Sequence, residues 1–305
     1  MAFRGNLSMD VADSPYGYIP HEYVGIIFLV LFGSSTLIHV GQAIHYRMWW
    51  LLPTAALCGV IELIGWSGRT WSSISPSFAD PYMMQIVCTI IAPTPLVAVL
   101  FTLFGRVVKR LGEEYSFVTA KWYTIVFISC DFVALVVQGL GGGMLSSEST
   151  SADGNAIIGA SVMLSGIVVQ TLAICMYSFC AAEYLRRYTK DLPLRRSVDA
   201  GLCPKKQTTP ALRTMIFGMV FCTTCLFIRS IYRIIELGQE VATNFNGKVI
   251  TTEVYFNVFD GGMVTLAIIV LNFVHPGRFF TPEPDVSGED VEMKNPLQSQ
   301  SGGWA

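Results

Sequence analysis

Seven apolar stretches, each near the ~20 residues a helix needs to cross hydrocarbon, divide this chain. They lie at about Tyr23–Ile44, Trp50–Arg69, Tyr82–Gly105, Trp122–Gly143, Ile157–Tyr184, Ala211–Leu237 and Thr252–His275. Inside hydrocarbon every backbone polar group must be satisfied internally, so stretches of this length become helices. With 52% hydrophobic and 14% charged residues and a mean hydropathy of +0.51, the 305 residues depart from soluble globular composition. The expected fold is an all-α membrane protein, a seven-transmembrane-helix bundle over residues 23–275. Residues 1–22 form a leading segment, and residues 276–305 form a tail with too little apolar content to fold.

Lysine and arginine set the orientation. Arg47, then Arg106, Lys109, Arg110 and Lys121, then Arg186, Arg187, Lys190, Arg195, Arg196, Lys205, Lys206 and Arg213, then Arg278 and Lys294 fall on one side. The other side offers Arg4 and Lys248. The positive-inside rule places the N-terminus outside and the C-terminus in the cytosol. Asn6-Leu7-Ser8 is a glycosylation sequon in the segment so placed outside. The start of the chain has no signal-peptide core, so the first helix directs insertion. Seven of the eight cysteines fall within the apolar stretches and Cys203 lies in a loop on the cytosolic side, which predicts no structural disulfide.

A charge near the bilayer centre costs about 2.5–3.5 kcal/mol on insertion scales, so charged residues in membrane helices face the bundle interior. Counting ~1.5 Å per residue gives each polar residue a depth. Glu62 and Arg69 fall on the second helix, Gln85 on the third, Asp131 and Gln138 on the fourth, and Gln170 on the fifth. Arg229, Arg233 and Glu236 fall on the sixth, and Glu253 and Asp260 on the seventh, nearly all in the outer half. Spacings of seven, or of four and then three, put each set on one helix face and predict a polar, outward-opening substrate pocket. A structural ion-pair network is the alternative, with Arg233–Glu236 at i, i+3 its clearest member. Four deep acids, Glu62, Asp131, Glu236 and Asp260, face three arginines, so one acid is left over. Asp131 and Asp260 are the candidates, because neither has a cation near it on its own helix.

Small residues mark close helix contacts: Gly139, Gly141, Gly142 and Gly143 end the fourth stretch, and Gly159 and Gly166 lie seven apart on the fifth. Gly261-Gly262 follows Asp260 directly. Pro93-Thr94-Pro95 interrupts the backbone ladder of the third helix and predicts a kink there.

At these residues the sequence resembles the fungal RTA-like family, also called lipid-translocating exporters, whose founding members confer resistance to 7-aminocholesterol and to sphingoid long-chain bases. The resemblance rests on ELIGWSGR (Glu62–Arg69), Gln85 followed by IIAPTPLVAVLFTLFGR (Ile90–Arg106), DFVALVVQGLGGG (Asp131–Gly143), and Gly159, Gly166 and Gln170. It continues through RSIYRIIELG (Arg229–Gly238), EVYFNVFD (Glu253–Asp260) and HPG (His275–Gly277). Order and spacing over helices two to seven carry it. Trp66 stands where the family pattern expects a tyrosine, which keeps stacking and loses a hydroxyl. The resemblance implies a seven-helix plasma-membrane protein that moves, or gives tolerance to, amphipathic lipids; members also appear in porphyrin uptake and general toxicant resistance.

The leading function is therefore export of an amphipathic lipid or lipid-like toxin. No G-x-x-x-x-G-K-[ST] sequence is present, so this chain is not expected to hydrolyse ATP. Movement would run downhill or couple to an ion. A seven-helix lipid sensor is the main alternative. A membrane lipid hydrolase would need converging histidines, and only His21, His39, His45 and His275 exist. No cofactor, metal or nucleic acid is expected; the partners are membrane lipids or amphipathic small molecules. The orientation predicts that protease treatment of intact cells removes an N-terminal tag and spares a C-terminal one. The reverse pattern would overturn it.

Overall fold

The computed structural model describes residue 14 and residues 16–117, 119–147, 154–194, 209–243 and 248–278. The Asn6 sequon, the Cys203 loop and the tail beyond 278 lie outside the described residues. Among the described residues seven helices are long and apolar enough to span a bilayer: Glu22–His45, Trp49–Ile74, Ala79–Leu111, Ala120–Leu145, Ile157–Lys190, Pro210–Thr243 and Glu253–Arg278. They are numbered here as spans one to seven. Odd spans run from the N-terminal face, where span one begins, to the C-terminal face, and even spans return.

Several spans outrun their apolar stretches. Span two continues past Arg69 to Ile74, span five past Tyr184 to Lys190, and span six past Leu237 to Thr243. A helix stops when its hydrogen-bond ladder loses support, not where hydrophobicity ends. At the end of span five Glu183 holds Arg186 and Arg187 one turn on, at 2.8 and 2.7 Å, which carries the helix onward.

Consecutive spans pack side by side, and span seven closes the ring against spans one and six. Span three is the most buried, with 67% of its apolar window inside against 28% for span one. It touches spans two, four and six, so what it carries is presented to the whole bundle. Three spans depart from α-helix. Span three breaks at Ala92 between Ala79–Ile91 and Pro93–Leu111, as the double proline predicts. Span two opens with a 3₁₀ turn, Trp49–Leu51, and a π turn, Leu52–Ala56, around Pro53. Span seven holds a π turn, Asn257–Gly262, which contains Asp260.

Spans four and five meet along the expected small-residue seam. A Cβ on Gly166 would lie 2.7 Å from Gln138 Cγ and 2.9 Å from the Ala134 carbonyl oxygen, whereas one on Gly139 meets nothing within 4 Å. Gly166→Ala should therefore lower stability by about 1–3 kcal/mol through overpacking. Gly139→Ala should leave stability unchanged or raise it by up to ~1 kcal/mol through helix propensity. Thermal unfolding of the purified variants in one detergent compares them; equal losses would contradict the seam.

Candidate functional site

Proline has no N–H, so Pro93 leaves the carbonyl of Thr89, four residues earlier, without its helical donor. Span six supplies the replacement: Arg229 Nη2 donates to Thr89 O at 2.5 Å and to Ile90 O at 3.3 Å. The same guanidinium donates through Nε to Asp260 Oδ1 at 2.9 Å. One turn on, Arg233 holds both oxygens of Asp260, Nε to Oδ1 at 2.8 Å and Nη2 to Oδ2 at 2.7 Å. Its Nη1 donates to Glu236 Oε2 at 2.7 Å, and Nη2 also reaches Thr89 Oγ1 at 2.7 Å. Tyr232 Oη donates to the other Glu236 oxygen at 2.8 Å. The π turn of span seven aims Asp260 into this group, and Asp260 and Arg233 are fully buried.

Toward the N-terminal face a second ion pair joins span two to span seven: Arg69 Nη2 lies 3.1 Å from Glu253 Oε1. Arg69 Nη1 donates to Gln85 Oε1 at 3.2 Å. Phe256 links the two groups, its ring centre 4.6 Å from the Arg69 guanidinium and 5.1 Å from that of Arg233. Over them lies the leading segment. Tyr16 Oη donates to Gln85 Oε1 at 2.6 Å, Arg69 Nη2 donates to Tyr18 Oη at 3.0 Å, and His21 Nδ1 pairs with Glu253 Oε2 at 2.5 Å. Burial pushes the Tyr16 hydroxyl up to about 12, so it remains a donor. Sequence reasoning missed this strap, although its Ser-Pro-Tyr-Gly run is a turn signal. Gly17 adopts the left-handed conformation, φ +69°, and its N–H closes the turn on Ser14 O at 3.0 Å. The polar residues are thus closed over in this conformation.

Asp260 is not the leftover acid that its isolation on its own helix suggested: two arginines from span six hold it. That pairing crosses between helices, where spacing within one helix is silent. Among the described residues the acids left over in this group are Glu240, one turn beyond Glu236, and Glu62. Glu62 is completely buried, and among the described residues neither of its carboxyl oxygens has a hydrogen-bond partner. Asp260, Arg229 and Arg233 lie within electrostatic range, and the indole N–H of Trp66 one turn on, which has no other partner, is the donor turned toward it. Trp66 itself is wedged between rings, stacked on Phe28 with centroids 4.0 Å apart and tilted against Phe256 at 5.6 Å. It abuts Gly261, where a Cβ would collide with it.

Asp131, Gln138 and Gln170 form a separate group. Gln138 Nε2 donates to Gln170 Oε1 at 3.0 Å, and Gln170 Nε2 donates to Asp131 Oδ1 at 3.1 Å and to Thr94 Oγ1 at 3.0 Å. Thr94 belongs to the proline break, so both groups meet span three there. The eleven candidate residues therefore divide into nine-tenths-buried groups on spans two, three, six and seven, and a smaller amide group on spans four and five. Glu240 is a further buried acid, which its spacing of four from Glu236 puts on the same face of span six.

Two lateral grooves complete the site. One, about 280 Å³, opens toward the C-terminal half between spans three, five and six, with Phe104, Tyr177, Leu185 and Met219 in its lining. The other, also about 280 Å³, lies between spans six and seven, level with the arginines. Among the described residues no three His, Cys, Asp or Glu side chains are grouped to hold a metal ion. His39 Nε2 contacts Ile268 O at 3.1 Å, and His275 Nδ1 accepts from Gly277 N at 3.1 Å.

A family model described as RTA1 like protein matches residues 55–283. Among curated proteins, a sphingoid long-chain base transporter of Saccharomyces cerevisiae is 25% identical over 288 residues, 87% of this chain and 74% of the relative. Protoporphyrin uptake protein 1 of the same yeast is 25% identical over 316 residues, covering 92% and 97%. Protein RTA1 of that yeast is 24% identical over 286 residues, covering 86% and 84%. No solved structure matches.

Removing one partner of a buried ion pair costs about 3–5 kcal/mol, because the other charge stays buried. Asp260→Asn should lose that much, since two guanidiniums depend on it. Glu62→Gln should cost less than about 1 kcal/mol, having no partner to abandon. Unfolding of the purified variants measures both, and equal losses would show that Glu62 is paired.

Proposed function

The chain belongs to the RTA1-like family, and on that premise we propose that it is a transporter that carries amphipathic lipids or lipid-like toxins across the plasma membrane and so confers resistance to them. The substrates are of the sphingoid-base, phospholipid or sterol-amine class, of which the sphingoid base is the one that a relative's name carries. The N-terminal face is exoplasmic and the basic face cytosolic.

One observation carries this reading: a fully buried carboxyl, Glu62, without a partner, beside arginines that are already committed. Such a group must be neutralised, by a proton or by a cation from outside the chain. A substrate ammonium does this when it binds at Glu62, and a proton does it when the substrate leaves. Exchange of one for the other couples lipid movement to a proton gradient, which fits a chain whose sequence carries no ATP-binding motif. Asp131 is a further carboxyl without a cation, held by the neutral amide of Gln170, and serves as a further station.

Reconstituted flux tests the proposal. Proteoliposomes containing only this protein should move a long-chain amine, and Glu62→Gln should slow that movement about thirtyfold or more, the range for deleting one member of a buried charge pair. Asp131→Asn should slow it less. If the pure protein moves no sphingoid base, phospholipid or sterol amine, transport is wrong and a sensor that acts through other proteins takes its place.

A further inference from the structure

The groove between spans six and seven is lined by Ile228, Ile231, Tyr232, Ile235, Tyr255 and Phe259, with Val249 at its end. Four of these side chains are the immediate sequence neighbours of charged residues in the buried group: Ile228 precedes Arg229, Tyr232 precedes Arg233, Ile235 precedes Glu236, and Phe259 precedes Asp260. Adjacent residues on a helix point ~100° apart. Each pair therefore gives one side chain to the charged interior and the other to the flank facing hydrocarbon. Groove and charges share one depth as a consequence of the helical repeat.

Tyr232 is the wall between them. Its ring lines the groove and stacks on Phe259 at 6.2 Å, while its hydroxyl donates to Glu236, which Arg233 also holds. One side chain thus separates an apolar slot open to the bilayer from the charged group. Phe259 and Asp260 both sit in the π turn, so the opposite wall belongs to the less regular part of span seven. The lining presents no charge, and its one exposed hydroxyl-bearing ring, Tyr255, lies at the start of span seven, where interfacial aromatics belong. Its lining runs along span six from Ile228 to Ile235, about 10 Å of helix, which is the course an extended hydrocarbon chain would follow.

We propose that this groove seats the single alkyl chain of an amphipathic lipid, with its polar end turned past Tyr232 toward the charged group. The proposal rests on the transport reading and deepens it by naming the substrate class: single-chain amphiphiles. The chain enters sideways from the bilayer, and only the headgroup crosses into the protein interior.

A long-chain amine carrying a diazirine in mid-chain is the probe, applied to the purified full-length protein in lipid nanodiscs and mapped after irradiation. Cross-links should concentrate on residues 228–235 and 255–259. Filling the groove with Ile231→Trp should lower their yield about tenfold, and Ile235→Phe should do so independently. Leu172→Trp, on the lipid-facing side of span five, should change nothing. A single-chain amine without the diazirine should compete, and a diacyl phospholipid or a sterol amine should not. Labelling spread evenly over lipid-facing helices, labelling confined to the other groove, or indifference to both filling variants would overturn the proposal. The readout is binding: labelled groove without flux defeats transport alone, and flux without groove labelling defeats the chain site alone.

Discussion

The contact on which the rest of the bundle's interior depends is that of Arg229 with the carbonyl of Thr89. Pro93 creates an orphan acceptor in the most buried span, at a depth no water is available to satisfy, and an unmet buried carbonyl costs about 1–3 kcal/mol. Arg229 meets it from span six and at the same time grips Asp260 on span seven. Three spans are thereby locked at one height. Arg233 repeats the link one turn on, through the Thr89 hydroxyl and both oxygens of Asp260.

A clamp of this kind is weak evidence for stability, since desolvating the charges offsets most of their attraction, but it specifies register. Spans six and seven cannot slide by a turn without leaving a buried guanidinium without its carboxylate. Within so specified a frame Glu62 stands out. The arginines near it, Arg229 and Arg233, already hold Asp260, Glu236 and the Thr89 carbonyl, so its neutralisation depends on what arrives. The clamp and the lone carboxyl work together: the first fixes the field in which the second must be neutralised.

Helix number, approximate bounds and the inward set of polar residues were legible in the sequence, because hydropathy and the cost of buried charge act locally and leave a one-dimensional trace. The proline break was legible for the same reason. The pairing of Asp260 was not. Its partners lie 27 and 31 residues away on another helix, and the π turn that aims it has no signature beyond the glycines that follow. Glu62 shared a helix with Arg69 seven residues on, which suggested a mate. Arg69 instead turns to Glu253, Gln85 and Tyr18, nearer the N-terminal face. The strap of Tyr16, Tyr18 and His21 escaped notice because its residues are too few and too polar for a periodic signal, and its value lies wholly in tertiary contacts.

That strap bears on how the closed arrangement can change. It is tied down by the Tyr16–Gln85 and Tyr18–Arg69 hydrogen bonds, by His21 on Glu253 at its exposed end, and by the edge-to-face packing of Tyr16 on Tyr82, centroids 4.7 Å apart. Side-chain hydrogen bonds contribute about 0.5–1.5 kcal/mol each and an aromatic pair about 0.5–1.5 kcal/mol. Such ties sum to a few kcal/mol, the gap at which a minor state is populated at the per cent level and a ligand with unequal affinity for the two states shifts the balance. The arginine clamp beneath is held by several charge-assisted bonds and is not released on that scale. Rigidity therefore sits at the level of Asp260, and compliance sits above it, at the strap. On the proposed transport reading, a bundle divided in this way admits a headgroup to Glu62 without disturbing the frame that leaves Glu62 without a cation.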